Sequence, residues 1–330
     1  MEYNTTVYDA HVAVRKEPIN LHKDDLHLYK STLATPIHET TLSILENVSI
    51  LKDTFFSMRH FTYYTQHSHL RKVSSTSLLK RAFRFLKPAI TIPRAIWVMH
   101  EWSTEYFHWF TDALPRLLAT GDWQRNTPVI LPKRYADKPY ITQSLRMLDV
   151  EVIFYDPRKR VKVKELIVSS YTAPTGNYNT TLIPVIREKF IKKSEQAINR
   201  KIYISRQKAA KRKITNESEV QAIFQKRGYE IHFFEDYSFE KQLEIMSATK
   251  ILAGLHGAGL TNMLFMPPDG RILELRNAGD AHNNCFFSLA SAVDHDYFYL
   301  TNQGSSQDTY IADITVDTDQ LDHVLRQMEA

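Results

Sequence analysis

The sequence predicts an α/β protein built as two Rossmann-like halves facing a cleft. Three observations carry this. A length of 330 residues suits about two domains. Strand-like and helix-like stretches alternate from residue 95 to 156, the mark of a parallel sheet, and alternate again from 201 to 276. A long polar helix expected over 185–200 separates the two runs. The domains are therefore placed at 1–185 and 186–330, the first with a short β-rich start. The last helix of the second is left free to pack back on the first.

The elements follow in order. Residues 1–30 are polar and mixed, and read as an arm. Residues 41–70 hold short β-type runs (SILENVSILKDTFFSMRHFTYYTQ) broken by polar pairs. Residues 75–86 (STSLLKRAFRFL) read as a basic amphipathic helix stopped by Pro88. Its apolar face is expected to pack on the protein, with a membrane surface as the alternative. AIWVMH (95–100) reads as a buried strand, 104–119 as a helix, TPVILP (127–132) as a strand, 138–149 as a helix and VEVIFYD (150–156) as a strand. In the second half KIYISR (201–206), EIHFFE (230–235), KILAGL (250–255) and RILELR (271–276) read as strands. Helices are expected over 216–229, 238–249, from 257, and over 316–330. Asn216 is the expected N-cap of the first, with Glu219 three residues on.

Composition narrows the class. Apolar residues make up 43%, enough to build cores, so disorder is excluded. The single cysteine, Cys285, excludes an intramolecular disulfide and a cysteine metal cluster. Net charge is +5, concentrated in PRKRVKVK (157–164) and RQKAAKRK (206–213), runs that suit phosphates, an anionic membrane face or nucleic acid as well as a solvated surface. No apolar run approaches about 18 residues, and no signal-like segment opens the chain. A cytoplasmic protein is expected, with possible peripheral contact at the inner membrane face. No nucleic-acid motif is present, and no nucleic-acid partner is expected.

Two stretches carry chemistry. AGLHGAGLTN (253–262) lies where a strand meets a helix and uses three of the nine glycines. Ligands of open α/β sheets bind beyond the carboxyl ends of strands. Gly257, Ala258 and Gly259 therefore read as a phosphate cradle, with His256 and Asn262 within reach of the same ligand. The plainer reading is a tight turn around a packed histidine. Neither a P-loop nor a GxGxxG site is written here. Arg206 closes the first strand of this half and could grip a diphosphate; Glu274, in RILELR, could accept ribose hydroxyls. The second stretch, HEWSTEYFHWFTDALPRLL (100–118), puts His108 and Asp112 on one helical face. An aromatic core face with a capping histidine would leave the same pattern.

Three blocks together resemble glycosyltransferase family 61, the capsular-polysaccharide-type transferases: YFHWFTDALPRLL (106–118), IYISRQKAAKRKITNESEV continuing to GYEIHFFEDYSFEKQLEIMSATK (202–250), and LAGLHGAGLTNMLFMPPDGRILEL (252–275). The resemblance implies a GT-B architecture and an inverting transfer from a nucleotide sugar, usually a UDP-sugar, to a saccharide or lipid-linked glycan. It implies no cofactor and no required metal. The family's arginine, glycine-rich turn and aromatic-helix residues fall on Arg206, on His256 to Gly259, and on His108, Trp109, Asp112 and Arg116. Asp112 is the expected base, with His108 the close second. Lys208 and Arg212 are expected to assist Arg206 at the leaving diphosphate. Glu101, Trp109 and Arg116 are grouped on the acceptor side. The alternatives are a nucleotide-sugar or glycan-binding protein without turnover, and a metal-dependent GT-A transferase using Asp294 and Asp296.

Overall fold

A computed structural model describes residues 3–64, 74–191, 197–306 and 308–330. The chain divides into two compact units: residues 1–11 with 37–174, and residues 12–36 with 175–330. The boundary therefore falls at Pro174, ahead of the expected position, and residues 12–36 belong to the second unit.

Strands Tyr3–Tyr8 (β1), His11–Val14 (β2), Ala34–Ile37 (β3), Thr40–Leu51 (β4), Thr54–Ser57 (β5), Thr62–Tyr63 (β6), Ala89–Trp97 (β7), Val129–Pro132 (β8), Val152–Tyr155 (β9) and Arg160–Ser169 (β10) come first. β2 and β3 pair as a ribbon. Among the described residues the others form one eight-stranded sheet, β6-β5-β4-β10-β7-β8-β9, with β1 also on β4. β10, β7, β8 and β9 are parallel. β4 is antiparallel to β10, β5 and β1. The first unit is thus a mixed sheet and departs from the expected Rossmann-like pattern along its β4 side. The basic run 157–164 supplies the start of β10, a central strand. Val161 and Val163 are buried while Lys162 and Lys164 are exposed. The lysines mark the solvent face of a half-buried strand, and the charge hid the alternation.

The second unit has Arg200–Ile204 (β11), Glu230–His232 (β12), Thr249–Leu255 (β13), Arg271–Asn277 (β14), Asp296–Gly304 (β15) and Ile314–Thr315 (β16), in the order β12-β11-β13-β14-β15-β16. The first five are parallel. Their order, read 2-1-3-4-5, is that of a doubly wound α/β sheet. β16 returns antiparallel. β15 and the helix Cys285–Ala292 were not expected from the sequence.

Tyr203 stacks on Phe224 with ring centroids 4.2 Å apart, in a core that also takes Leu321, Leu325 and Met328 of the last helix, Thr318–Glu329. That helix covers its own unit's sheet, contrary to the freedom left to it. The segment 12–36 is bound, not an arm: Ile19 N donates to Tyr297 O, Asn20 Nδ2 to Tyr299 O, and Asn284 Nδ2 to Leu28 O. The expected helix over 185–200 is shorter, Ile183–Phe190, and residues 192–196 lie outside the described residues, as do 65–70 of the early β-type runs. Asn216 precedes Glu217–Lys226 but makes no cap hydrogen bond with its side chain. Its amide holds Val316 at both N and O instead.

Candidate active site

In the first unit, β10 and β8 flank β7 on opposite sides, so the crevice where the chain reverses direction lies at the carboxyl ends of β7 and β10. Arg116 pins those two ends together. Its guanidinium is fully buried and donates to Val98 O at 3.1 Å and to Ser169 O at 2.9 Å, with Tyr171 beneath it. Burial lowers its pKa. This is a structural arginine, and its expected place among acceptor-side residues is corrected on that ground. Trp109 is corrected likewise. It is fully buried, with Nε1 donating to Ser144 Oγ at 2.9 Å. Glu101 lies exposed in the turn that leaves β7.

The aromatic helix runs through Tyr106–His108, a π-helical segment Trp109–Ala113, and Leu114–Leu118. A π turn inside an α-helix re-aims side chains and is common at functional sites. Here His108 Nδ1 sits 2.7 Å from Asp112 Oδ2. His100, just past β7, brings its Nε2 to 3.3 Å from the same oxygen. Sequence reasoning did not assign His100; its one signal was a polar residue at the end of a buried strand.

Side-chain exposure separates the three: His100 0%, Asp112 4%, His108 20%. Burial pushes the Asp112 carboxyl up, but the two imidazoles outweigh it and hold the pKa below its ordinary value. Burial lowers the pKa of His100, against the raising effect of Asp112. Asp112 is therefore an anion at neutral pH, and the neighbour that meets solvent is His108.

His100, His108 and Asp112 also offer three potential metal-ligand atoms within 4.8 Å of one another. The hydrogen bonds speak to the proton positions. Trp102 N donates to His100 Nδ1 at 3.2 Å, which places the His100 proton on Nε2, facing Asp112. A metal on Nε2 would need that proton on Nδ1, against a backbone donor.

In the second unit, β12 and β13 flank β11, and the reversal point lies at the carboxyl ends of β11 and β13. Just past those ends lie Arg206 and His256-Gly257. The Arg206 guanidinium lies across Gly257, where any Cβ would overlap Nη1. Gly259 meets Ile204 Cγ2 in the same way, at 3.0 Å from a Cβ position. These two glycines serve close approach. Arg206 Nε donates to Arg212 O and Nη2 to Lys211 O, both at 3.1 Å, folding the basic loop around it. Burial and the nearby Arg212 charge push its pKa down to about 10. The Glu235 charge acts the other way and offsets this only in part.

The other expected donor residues are placed differently. Lys208 is ion-paired with Asp236. Arg212 contributes its carbonyl. Ala258 opens the expected helix, which is 3-10 in form over Ala258–Phe265. Asn262 is buried, donating to Gly259 O at 3.0 Å. Glu274 is fully buried, with one oxygen on His256 Nδ1 and the other accepting from Tyr297 Oη. Buried in this way it does not face a ribose, and it holds His256 instead. Burial raises its pKa, but His256 outweighs this and the carboxyl is held low. His256 Nε2 is 3.0 Å from Asn283 Nδ2.

Asp294 and Asp296 stand at the amino end of β15, opposite the strand ends that carry Arg206 and His256. Asp294 is paired with Lys16 at 2.9 Å, and the intervening His295 is buried. Asp317 caps the last helix through Asp319 N and Gln320 N. The GT-A alternative loses its residues on this geometry.

The glycosyltransferase 61 family profile matches residues 106–273, half of the chain. EGF domain-specific O-linked N-acetylglucosamine transferase from Bos taurus is 38% identical over 84 residues, 24% of this chain and 16% of that protein. The Drosophila melanogaster protein is 40% identical over 91 residues, 27% and 17%. The Rattus norvegicus protein is 35% identical over 101 residues, 29% and 18%. The chain thus matches less than a fifth of the length of each of these relatives. The matched region opens on the helix of His108 and Asp112, runs through Arg206 and the glycine-histidine turn, and closes in β14: this chain belongs to glycosyltransferase family 61.

Proposed function

We propose that this chain is an inverting glycosyltransferase of GT-B type that moves a sugar from a UDP-sugar to a hydroxyl of a glycan or protein, without a required metal. The observation that carries the donor assignment is Arg206: an under-compensated guanidinium laid across a glycine at the reversal point of a doubly wound sheet. A diphosphate would complete the compensation, with the backbone amides of Gly257 to Gly259 beside it.

In this reading unit 2 holds the donor and unit 1 supplies the base. The acceptor oxygen attacks the anomeric carbon as the bond from that carbon to the diphosphate oxygen breaks. His108 Nε2 takes the hydroxyl proton. Asp112, ionised and bonded to His108 Nδ1, fixes the tautomer and stabilises the imidazolium that forms. His100 positions Asp112 from behind. This replaces the expectation of Asp112 as base, because a carboxylate with 4% exposure has little access to an acceptor while His108 has 20%. UDP leaves with its charge on Arg206 and the turn amides.

The relatives' names bring N-acetylglucosamine as the first donor sugar to try and an EGF-type protein domain as an acceptor beside the saccharides of capsule-type chemistry. The test is a melting-temperature titration with UDP, GDP, CMP, TDP and ADP, followed by transfer assays with UDP-sugars. UDP near 100 times its Kd should add about 2.7 kcal/mol of stability. A shift with no turnover on any acceptor would favour the binding-protein alternative.

A further inference from the structure

The first unit carries an apolar stripe that the reaction does not use. The helix Ser75–Ala82 and the 3-10 turn Phe83–Leu86 hold to the protein by one side. Arg81 Nη2 bonds Asp53 Oδ1 at 2.9 Å, Arg84 Nε donates to Pro157 O at 2.9 Å, and Phe85 packs edge-on against Phe56. The other side presents Leu79, Phe83 and Leu86, spaced i, i+4, i+7 and 63, 61 and 83% exposed. Three large apolar side chains on one helical stripe, all facing out, are not what a folded surface leaves uncovered without use.

Charge says what covers them. Residues 74–90 contain four cations and no carboxylate, and Lys80 and Lys87 are exposed beside the stripe. A cavity of about 540 Å³ adjoins it, lined by Lys87, Ile90, Arg158 and Lys159. Asp156 also lines it but is bonded to Arg158 at 3.1 Å. Exposed apolar tips flanked by exposed lysines match a surface whose phosphates lie above its hydrocarbon. We propose that this face lies on an anionic lipid bilayer, with Leu79, Phe83 and Leu86 in the acyl boundary, Lys80 and Lys87 at the phosphates, and the cavity taking one phosphorylated headgroup.

The experiment is co-sedimentation of the full chain with phosphatidylcholine vesicles with and without about 30% phosphatidylglycerol. Binding to the anionic vesicles alone is expected, weakening as salt rises. Phe83→Ser with Leu86→Ser should lower it at least about tenfold, and Lys80→Glu with Lys87→Glu should do the same. Both pairs are exposed and should keep the wild-type melting temperature. In a separate Phe83→Trp protein, fluorescence should be quenched by brominated acyl chains beyond the wild-type level. A wild-type protein that ignores anionic vesicles overturns the proposal, as does a serine variant that binds like wild type or an unquenched tryptophan. A wild-type dimer that the serine variant turns into a monomer, with no vesicle binding by either, would make the face an interface between two copies.

Discussion

The guanidinium of Arg206 occupies the space in which a side chain at Gly257 would begin. The backbone there is extended, with φ 167, so glycine is needed for room rather than for a left-handed turn. Gly257→Ala should therefore fold, because the flexible arginine end can yield, and should lose donor affinity. A drop of about tenfold in UDP binding, or roughly 1.4 kcal/mol, is expected by calorimetry with little change in the melting temperature of the free protein. Arg206→Lys should weaken UDP binding comparably, since a lysine lacks the planar fork.

The His108–Asp112–His100 chain makes separable claims. His108→Ala should lower kcat by about 10²–10⁴ with UDP affinity unchanged. Asp112→Asn should lower kcat by a similar factor while the acceptor KM holds, because the imidazolium loses its counter-charge. His100→Gln should cost less, and its loss should fall on kcat rather than KM. Normal turnover in His108→Ala would remove the base from this helix.

Trp102 is 48% exposed and its ring centre lies 5.3 Å from that of His108. In the proposed mechanism this indole face, beside the proposed base, would stack on an acceptor sugar or ring. Trp102→Ala should raise the acceptor KM by about tenfold, or roughly 1.4 kcal/mol, and leave the donor KM unchanged in two-substrate kinetics.

The proposed reading expects transfer without a metal, and a chelator tests it. Transfer activity should survive EDTA, and His108 should lose its role only on mutation. Activity abolished by EDTA and restored by Mn²⁺ would assign the ion to His100, His108 and Asp112, the trio with suitable spacing among the described residues.

His295 fixes an acid limit on stability. Burial, together with the charge of Arg187, pushes its pKa down to about 4, while bonding to Met263 O and the nearby Asp294 act the other way. An unfolded histidine binds its proton near pH 6.5, at about the ordinary value. The folded-state pKa is the lower, so its contribution is present above about pH 6.5 and is lost as pH falls towards 4. The loss amounts to roughly 3 kcal/mol. Urea midpoints should fall between pH 7 and pH 4.5, and His295→Gln, less stable at pH 7, should show a flatter dependence.

Local pattern determined much of this protein. Alternating apolar runs wrote the parallel strands β7, β8, β9, β11, β13 and β14, because buried parallel strands are continuous in apolar residues. The glycine-histidine turn and the arginine just past β11 were legible because a reversal at a strand end needs small residues and leaves amides exposed. What escaped depends on partners distant in the chain. β10 was masked by lysines on its open face. The segment 12–36 shows no pattern until β15 is there to receive it. Arg116, Trp109 and Glu274 have the residue types of a site, yet burial beside specific carbonyls, hydroxyls and His256 gives them supporting roles. His100 became visible only when β7 ended beside Asp112. Residue type and spacing say which chemistry a chain can reach. Which group meets solvent is decided by burial, and burial is set by contacts between segments far apart in sequence.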